Sequence, residues 1–208
     1  MNKKNVKNFL KKFWLIVWKD NSPKGWIISV VFLFLLIYFI LFPLLNLVTG
    51  TVLPLVIVES CSMYHDGGLF SVLEDWVDRH GVNYLRVGID VNGFWDFSMK
   101  RGFNKGDILF VTGVKPEKLE EGDVIIFNAN YKHPIIHRII NIEKEGEEYI
   151  FSTMGDNVGE VQFFEKRISQ DQIVGKARTI LIPYLGWGKL IFFEPFQDDN
   201  NKGFCKEN

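Results

Sequence analysis

The sequence predicts a mainly β domain that follows an N-terminal transmembrane helix and carries a small helical insertion. Three observations support this prediction. Residues 26–49 form a stretch of 24 residues without an ionisable side chain. From residue 107 onward, short runs rich in β-branched and aromatic residues alternate with Gly, Pro and Asn. Between these two regions, residues 70–80 carry apolar side chains at helical spacing.

The charge of the chain is divided along its length. The first 25 residues hold seven lysines and one acidic residue, Asp20, so this head carries a net +6, whereas the 208-residue chain carries −1. Residues 50–208 therefore carry −7. A near-neutral chain with an acidic body argues against a nucleic-acid binder.

The head also has apolar residues at helical spacing. This spacing predicts an amphipathic helix on the inner membrane leaflet, or alternatively a short solvated helix. The apolar residues are Val6, Phe9, Leu10, Phe13, Trp14 and Val17.

Residues 26–49 would reach about 36 Å as a helix, which spans a hydrocarbon core of about 30 Å. The run is longer than the apolar region of a cleaved signal peptide, and no small-x-small pair follows it cleanly. We therefore expect an uncleaved signal anchor with a single pass. The lysines before it predict a head in the cytoplasm and a body outside the cell membrane.

The body is predicted to consist of short strands with helical interruptions. The predicted strands cover residues 52–59, 107–112, 123–128, 135–143, 148–153 and 172–182. The helix at residues 70–80 is expected to end at Gly81, which is a common cap. Residues 184–193 are expected to form a helix that packs or touches the membrane interface.

These predictions divide the chain into four parts. They are a basic cytoplasmic segment at 1–25, the anchor at 26–49, an exported domain at 50–196 with an insertion at about 65–105, and a polar, mobile tail at 197–208.

Only two cysteines are present, Cys61 and Cys205, and two do not make a disulfide framework. Cys61 is expected to be packed. The sequence has no Cys-x-x-Cys pair and no His/Cys cluster at metal-binding spacing, so we expect neither a metal nor another cofactor.

Three stretches of the body carry residues suited to catalysis, at 59–64, 133–140 and 152–157. They contain Ser62, His137 and Asp156. A serine nucleophile needs a base to take its proton, and the base needs an orienting partner. Each residue also has a structural explanation, since Ser62 and Asp156 suit turns and His137 suits a strand.

The order of short motifs around these residues resembles type I signal peptidase. After the membrane helix come Ser-Cys-Ser-Met at 60–63, Gly-Asp-Ile-Leu-Phe-Val at 106–111, Gly-Asp-Val-Ile-Ile-Phe at 122–127, Ile-His-Arg-Ile at 136–139 and Gly-Asp-Asn at 155–157. With a histidine at position 137, before Arg138, the chain resembles the archaeal and endoplasmic-reticulum branch of this family, because the bacterial branch has a lysine there.

The resemblance implies a fold of antiparallel sheets and a membrane-bound serine endopeptidase that cleaves signal peptides from exported preproteins. Ser62 would be the nucleophile, His137 the general base and Asp156 a carboxylate of the site. The Ser60 hydroxyl and the Ser62 backbone N–H would form the oxyanion hole. The implied partners are signal peptides, the lipid bilayer and the protein translocation machinery, with no cofactor.

The sequence departs from this family in two places. Gln162 stands where members of this branch commonly carry a second aspartate, so the carboxylate that orients His137 is expected to be Asp156, with Glu160, Glu165 and Asp171 as weaker candidates. The stretch between Met63 and Gly106 is long, and it either forms a flap over the site or decorates the surface, the latter being the expectation.

The histidines His65 and His80 in the insertion are expected to be solvated, and His133 is expected to be an exposed turn residue. A catalytically silent, membrane-tethered β-module is the alternative to a peptidase. A self-cleaving Ser-Lys regulator would need a lysine in place of His137, and none is there.

Overall fold

The computed structural model describes residues 3–66, 72–129, 131, 133–197 and 202–206, except for the side chains of residues 3, 4, 9 and 10. The chain divides into two compact units, Met1–Val48 and Thr49–Asn208. Phe70, where the insertion helix was expected to begin, lies outside the described residues.

The N-terminal unit consists of helices. The helix α1 (Lys3–Lys19) confirms the helical prediction for the head, and it is followed by α2 (Pro23–Leu36). The Ser22 hydroxyl starts α2 by accepting the Gly25 N–H at 3.1 Å. The rings of Phe13 and Phe32 pack edge to face with centroids 5.1 Å apart, so α1 lies against α2.

The apolar helix is continuous from Pro23 to Thr49. A π-helical turn (Ile37–Leu41) joins α2 to α3 (Phe42–Thr49) and ends two positions before Pro43. Proline has no N–H to donate, and the wider turn accommodates that lost bond. Pro23–Thr49 has 27 residues, and a window of 18 residues within it has a mean hydropathy of 2.9, so its length and composition are sufficient for crossing a membrane.

The second unit is built on one antiparallel sheet of seven strands, which confirms the predicted fold class. The strands lie in the order β1-β2-β7-β3-β4-β5-β6. Their bounds are β1 Leu55–Ile57, β2 Ile108–Thr112, β3 Val124–Phe127, β4 Ile135–Glu145, β5 Glu148–Met154, β6 Ile168–Ser169 and β7 Ile173–Ile182.

The sheet is covered on both faces, as β3 demonstrates. Its four residues are all 0% exposed, and successive side chains of a strand point to opposite faces. Val124 and Ile126 belong to one apolar cluster with Val58. Ile125 and Phe127 belong to another cluster.

The insertion contributes a third apolar cluster. The helix α4 (Leu73–Arg86) buries Trp76 and Tyr84, each 1% exposed, in a cluster that also contains Met154 at the end of β5. The insertion is therefore part of the core, and the expectation that it decorates the surface is wrong. A 3₁₀ turn (Val91–Asp96) follows the helix.

The prediction that α4 ends at Gly81 is also wrong. Gly81 lies inside α4, where a Cβ would be 3.1 Å from a methyl group of Val91. This glycine serves close packing between the helix and the following turn, so it does not act as a cap.

The C-terminal region differs from the prediction as well. A helix was expected at 184–193, and only the part Trp187–Leu190 of that range forms an α-helix, α5. A disulfide joins Cys61 to Cys205 across 144 residues, a pairing that the sequence did not predict. The tail was expected to be mobile, but within residues 202–206 the ring of Phe204 packs on Trp187 with centroids 5.0 Å apart.

Candidate active site

The segment that carries Ser62 follows directly on β1. Ser62 is partly buried, and its hydroxyl oxygen lies 3.2 Å from that of Ser60. A backbone hydrogen bond fixes the segment at the next residue, since the Phe103 N–H donates to the Met63 carbonyl at 3.0 Å. The two serines named by the sequence are thus neighbours, with both hydroxyl groups on the same side of the segment.

His137 lies in β4, opposite Ile125 of β3, and is 6% exposed. Its Nδ1 is hydrogen-bonded to Oε1 of Glu165, which is 0% exposed. A carboxylate can only accept, so Nδ1 carries the proton and Nε2 of the neutral ring is left as an acceptor. This is the tautomer that a general base toward a serine requires.

Glu165 is fixed by contacts from its own turn and from β5. Gln162 and Glu165 form a reciprocal capping box at the start of the turn Phe163–Glu165. The Gln162 N–H donates to Glu165 Oε2 at 2.9 Å, and the Gln162 side chain accepts from the Glu165 N–H. The Thr153 hydroxyl donates to Glu165 Oε1 at 3.2 Å. Gln162 therefore holds the glutamate that is hydrogen-bonded to His137.

Gly155 defines the space that Ser62 and His137 share. A Cβ on Gly155 would lie 2.9 Å from His137 Nε2 and 2.9 Å from the Ser62 carbonyl oxygen. The acceptor nitrogen of the histidine and the backbone of the serine therefore border the same small volume, which only a glycine leaves open.

A cleft of about 930 Å³ opens beside these residues. Ser60, Ser62 and His137 line it together with apolar side chains from β1 and from the start of β4. β1 is the first strand in the sheet order, so one of its edges has no neighbouring strand among the described residues. The cleft therefore combines a hydroxyl, an imidazole and an apolar wall.

Asp156 does not contact His137 by a described hydrogen bond, in contrast to the expectation that it orients this ring. Instead it binds Arg138 by two bonds of 3.0 and 2.7 Å. His65 Nε2 and the Tyr84 hydroxyl donate to it at 2.8 and 2.5 Å. The reason is the alternation of a strand, since His137 and Arg138 are adjacent in β4 and point to opposite faces.

Burial and charge act in opposite directions on this network. Burial by itself would raise the pKa of Asp156, but the Arg138 charge and the His65 hydrogen bond outweigh it and hold the pKa well below its usual range. Burial likewise would lower the pKa of Arg138, and Asp156 raises it instead. The pair therefore stays ionised inside the fold.

The expectation that His65 and His80 are solvated is wrong. Both rings stack on Trp76, with centroid distances of 3.7 Å for His65 and 4.8 Å for His80. Burial lowers the pKa of His65, and the hydrogen bond and charge of Asp156 only partly oppose this effect. His133, by contrast, keeps 58% of its side chain exposed, as expected.

Two parts of the site were missed or ranked low from the sequence. Glu165 was one of several candidate carboxylates, and its capped turn with Gln162 was the only local signal for it. The side chain of Asn157 donates to the Cys61 carbonyl at 3.1 Å, next to the disulfide. No sequence signal joins Cys61 to a residue 144 positions away.

Ser62 and His137 line one cleft, and Nδ1 of His137 is hydrogen-bonded to the buried carboxylate of Glu165. A serine, a histidine and a carboxylate are the groups that serine hydrolases combine. Several curated proteins similar to this chain are named as signal peptidases. Human signal peptidase complex catalytic subunit SEC11C is 32% identical over 101 residues, which are 45% of this chain and 52% of that protein.

The same subunit type from Lodderomyces elongisporus, named SEC11, is 30% identical over 104 residues, 47% of this chain and 61% of that protein. Signal peptidase I W of Bacillus subtilis is 39% identical over 61 residues, 29% of this chain and 32% of that protein. No family model matches the chain. The chain has homologues among the signal peptidases, which confirms the resemblance, and it spans about half the length of the SEC11-type relatives it matches.

Proposed function

We propose that this chain is a membrane-anchored serine endopeptidase that removes signal peptides from exported preproteins. The observation that carries the proposal is the bond between His137 Nδ1 and the buried Glu165, which leaves Nε2 as an acceptor beside the Ser62 segment. The signal-peptidase relatives support the same reaction. A catalytically silent module gains no support, because Ser62 and His137 line one cleft.

In this mechanism Ser62 Oγ attacks the scissile carbonyl carbon while its proton passes to His137 Nε2. The tetrahedral intermediate then collapses, and His137 gives that proton to the leaving amine. A water molecule repeats the sequence on the acyl-enzyme and releases the signal peptide with a free carboxyl group. Glu165 stabilises the imidazolium that forms twice in this cycle, because its negative charge lies next to Nδ1.

The oxyanion of the intermediate would accept hydrogen bonds from the Ser62 N–H and the Ser60 hydroxyl. The 3.2 Å distance between the hydroxyl oxygens of Ser60 and Ser62 supports this role, because it puts the Ser60 hydroxyl beside the attacking atom. Removing one such donor typically costs about 3–4 kcal/mol of barrier.

Asp156 takes a different part in this proposal from the one that the sequence suggested. It is a positioning residue that holds Arg138 and the insertion through buried hydrogen bonds. Glu165 replaces it as the residue that orients His137.

The substrate would bind as an extended chain along the free edge of β1 (Leu55–Ile57), which leads directly to Ser60 and Ser62. Backbone hydrogen bonds to an edge strand bind extended peptides with little dependence on their sequence. The apolar lining of the cleft suits the small side chains before a signal-peptide cleavage site.

The helix at Pro23–Thr49 would anchor the chain in a membrane, with the basic head on the cytoplasmic side. The disulfide between Cys61 and Cys205 supports a body on the opposite side, since disulfides persist in oxidising compartments. Signal peptides, lipid and the translocation machinery would be its partners. No described group of side chains is suited to holding a metal ion, and the proposed chemistry uses none.

The test is incubation of the detergent-solubilised protein with a preprotein, followed by mass analysis of the products. Wild-type protein should release one signal peptide, and His137→Ala should release none while it melts at a temperature close to that of the wild type. Cleavage by His137→Ala at the wild-type rate would show that the assignment is wrong.

A further inference from the structure

One residue, Asn157, holds the peptide bond between Cys61 and Ser62, because it donates to the carbonyl of this peptide and to the carbonyl of the next one. The Asn157 side-chain amide donates to the Cys61 carbonyl at 3.1 Å, and the Asn157 backbone N–H donates to the Ser62 carbonyl at 2.8 Å. Asn157 is 3% exposed, so little water competes for these bonds.

The orientation of this peptide decides where the Ser62 N–H points. In a trans peptide the C=O and the N–H point in opposite directions, and no described peptide of the chain is cis. Because Asn157 holds the Cys61 carbonyl on one side, the Ser62 N–H is directed to the other side. That N–H is one of the two donors that the proposed function gives to the oxyanion hole.

The same Asn157 amide is shared with the C-terminal segment, residues 202–206. Its second hydrogen bond goes to the Lys206 carbonyl at 2.9 Å, so one side chain links the end of the chain to the peptide before the nucleophile. The neighbouring Cys205 is covalently bound to Cys61. A disulfide and a hydrogen-bonded amide thus connect the same two segments.

Further contacts keep the C-terminal segment in place. The Lys105 N–H donates to Cys205 Sγ at 3.5 Å, and the Phe204 ring packs on Trp187. The Gly203 N–H donates to Glu194. Each residue from 203 to 206 therefore has its own described contact with the β domain.

We propose that the C-terminal segment is a positioning part of the active site: through the Cys61–Cys205 disulfide and Asn157 it fixes the peptide that carries the Ser62 N–H in the direction that the oxyanion hole requires. This inference rests on the proposed function. It predicts that loss of the disulfide lowers kcat more than it changes KM, since an oxyanion exists in the transition state and not in the bound substrate.

The experiment uses full-length protein, solubilised in detergent and purified without reductant, with a preprotein as substrate. Cys205→Ser and Asn157→Ala should each lower kcat about tenfold to hundredfold. This decrease is at most as large as the one caused by removing a whole oxyanion-hole donor. KM should stay within about twofold. The double variant should be about as slow as the slower single variant, because both changes act on one peptide.

Two comparisons separate positioning from general destabilisation. Ile168→Val, in the apolar cluster that contains Ile125 and Phe127, should lower the melting temperature. Ile168 does not line the cleft, so the kcat of this variant should equal that of the wild type. Wild-type protein treated with a phosphine reductant, which converts the disulfide to two thiols, should lose kcat as Cys205→Ser does. Reoxidation by oxidised glutathione should restore it, so the test does not depend on how a variant folds.

The outcomes are distinguishable. Wild-type kcat in reduced protein whose two thiols are confirmed by alkylation overturns this inference and leaves the proposed function intact. An equal loss of kcat in Ile168→Val also overturns it, since the effect would then follow stability. A wild-type protein that does not cleave, or a Ser62→Ala variant that does, refutes the proposed function itself.

Discussion

Glu165→Gln is the change that examines the proposed catalytic geometry most sharply. Glu165 is 0% exposed and uses both oxygens: Oε1 accepts from His137 and Thr153, and Oε2 accepts from the Gln162 N–H at 2.9 Å. Glutamine has nearly the same volume but only one acceptor oxygen, so it cannot reproduce this set of bonds.

Both orientations of the new amide are unfavourable. If its oxygen accepts from Gln162, its NH₂ group faces His137 Nδ1, which must then become an acceptor and transfer the ring proton to Nε2. A protonated Nε2 cannot take the proton of Ser62. If the amide is reversed, its NH₂ group meets the Gln162 N–H, and two donors face each other at a buried position, which costs about 1–3 kcal/mol.

The first orientation therefore leaves the wrong tautomer of the histidine. The corresponding change in a Ser-His-Asp triad lowers kcat by about 10⁴-fold, or about 5 kcal/mol of barrier. We expect a loss of about 10³–10⁴-fold for Glu165→Gln. The assay is the initial rate of preprotein conversion at saturating substrate, corrected for the folded fraction.

Glu160→Gln is the matched control, because it makes the same chemical change on an exposed side chain that was also a candidate from the sequence. Its rate should equal that of the wild type. A Glu165→Gln rate within tenfold of the wild type would refute the reasoning, as would an equal loss in both variants.

Three further predictions concern the surroundings of the site. Gly155→Ala should lower kcat about a hundredfold, because its Cβ would lie 2.9 Å from His137 Nε2 and displace the ring. Tyr84→Phe removes one donor from the buried Asp156 and should lower the free energy of unfolding by about 1.5–3 kcal/mol in urea titrations. His65 is held neutral in the folded state because its pKa is lowered, so stability should fall as the pH drops from about 6.5, and melting temperatures of His65→Gln should depend less steeply on pH.

Each of these predictions has its own contrary result. Gly93→Ala introduces the same methyl group where no other atom lies within 4 Å, and an equal loss of activity there would contradict the steric argument for Gly155. An unchanged unfolding midpoint in Tyr84→Phe would contradict the role of its hydroxyl. Parallel pH profiles for the wild type and His65→Gln would contradict a neutral buried histidine.

The fold was predictable from local patterns because each strand of the sheet carries its own signal. The β-branched run at 172–182 became β7 (Ile173–Ile182), and the predicted strand at 148–153 became β5 (Glu148–Met154). The run at 52–59 shortened to β1 (Leu55–Ile57), which begins directly after Pro54, a residue that has no N–H for a ladder.

Ser62 and His137 were named from the order of motifs, but Glu165, the carboxylate that meets His137, was only a weaker candidate behind Asp156. Asp156 and Glu165 are both fully or almost fully buried, and only the alternation of β4 decides that Arg138 meets the first and His137 the second. That choice depends on which face of the sheet each turn covers, and composition and spacing do not contain it.

The insertion and the tail were misjudged for a related reason. His65 meets its carboxylate 91 residues away, and Cys61 meets its partner 144 residues away. A polar residue with a remote partner has the same local pattern as a solvated one, so only the assembled core distinguishes the two.

The central claim, that Ser62 is the nucleophile of a signal-peptide cleaving enzyme, is tested most directly by one measurement. It is the conversion of a preprotein by Ser62→Ala beside the wild type, at equal concentrations of folded protein. The account predicts that the wild type yields mature protein and free signal peptide while Ser62→Ala leaves the preprotein intact. Conversion by Ser62→Ala at the wild-type rate would contradict it.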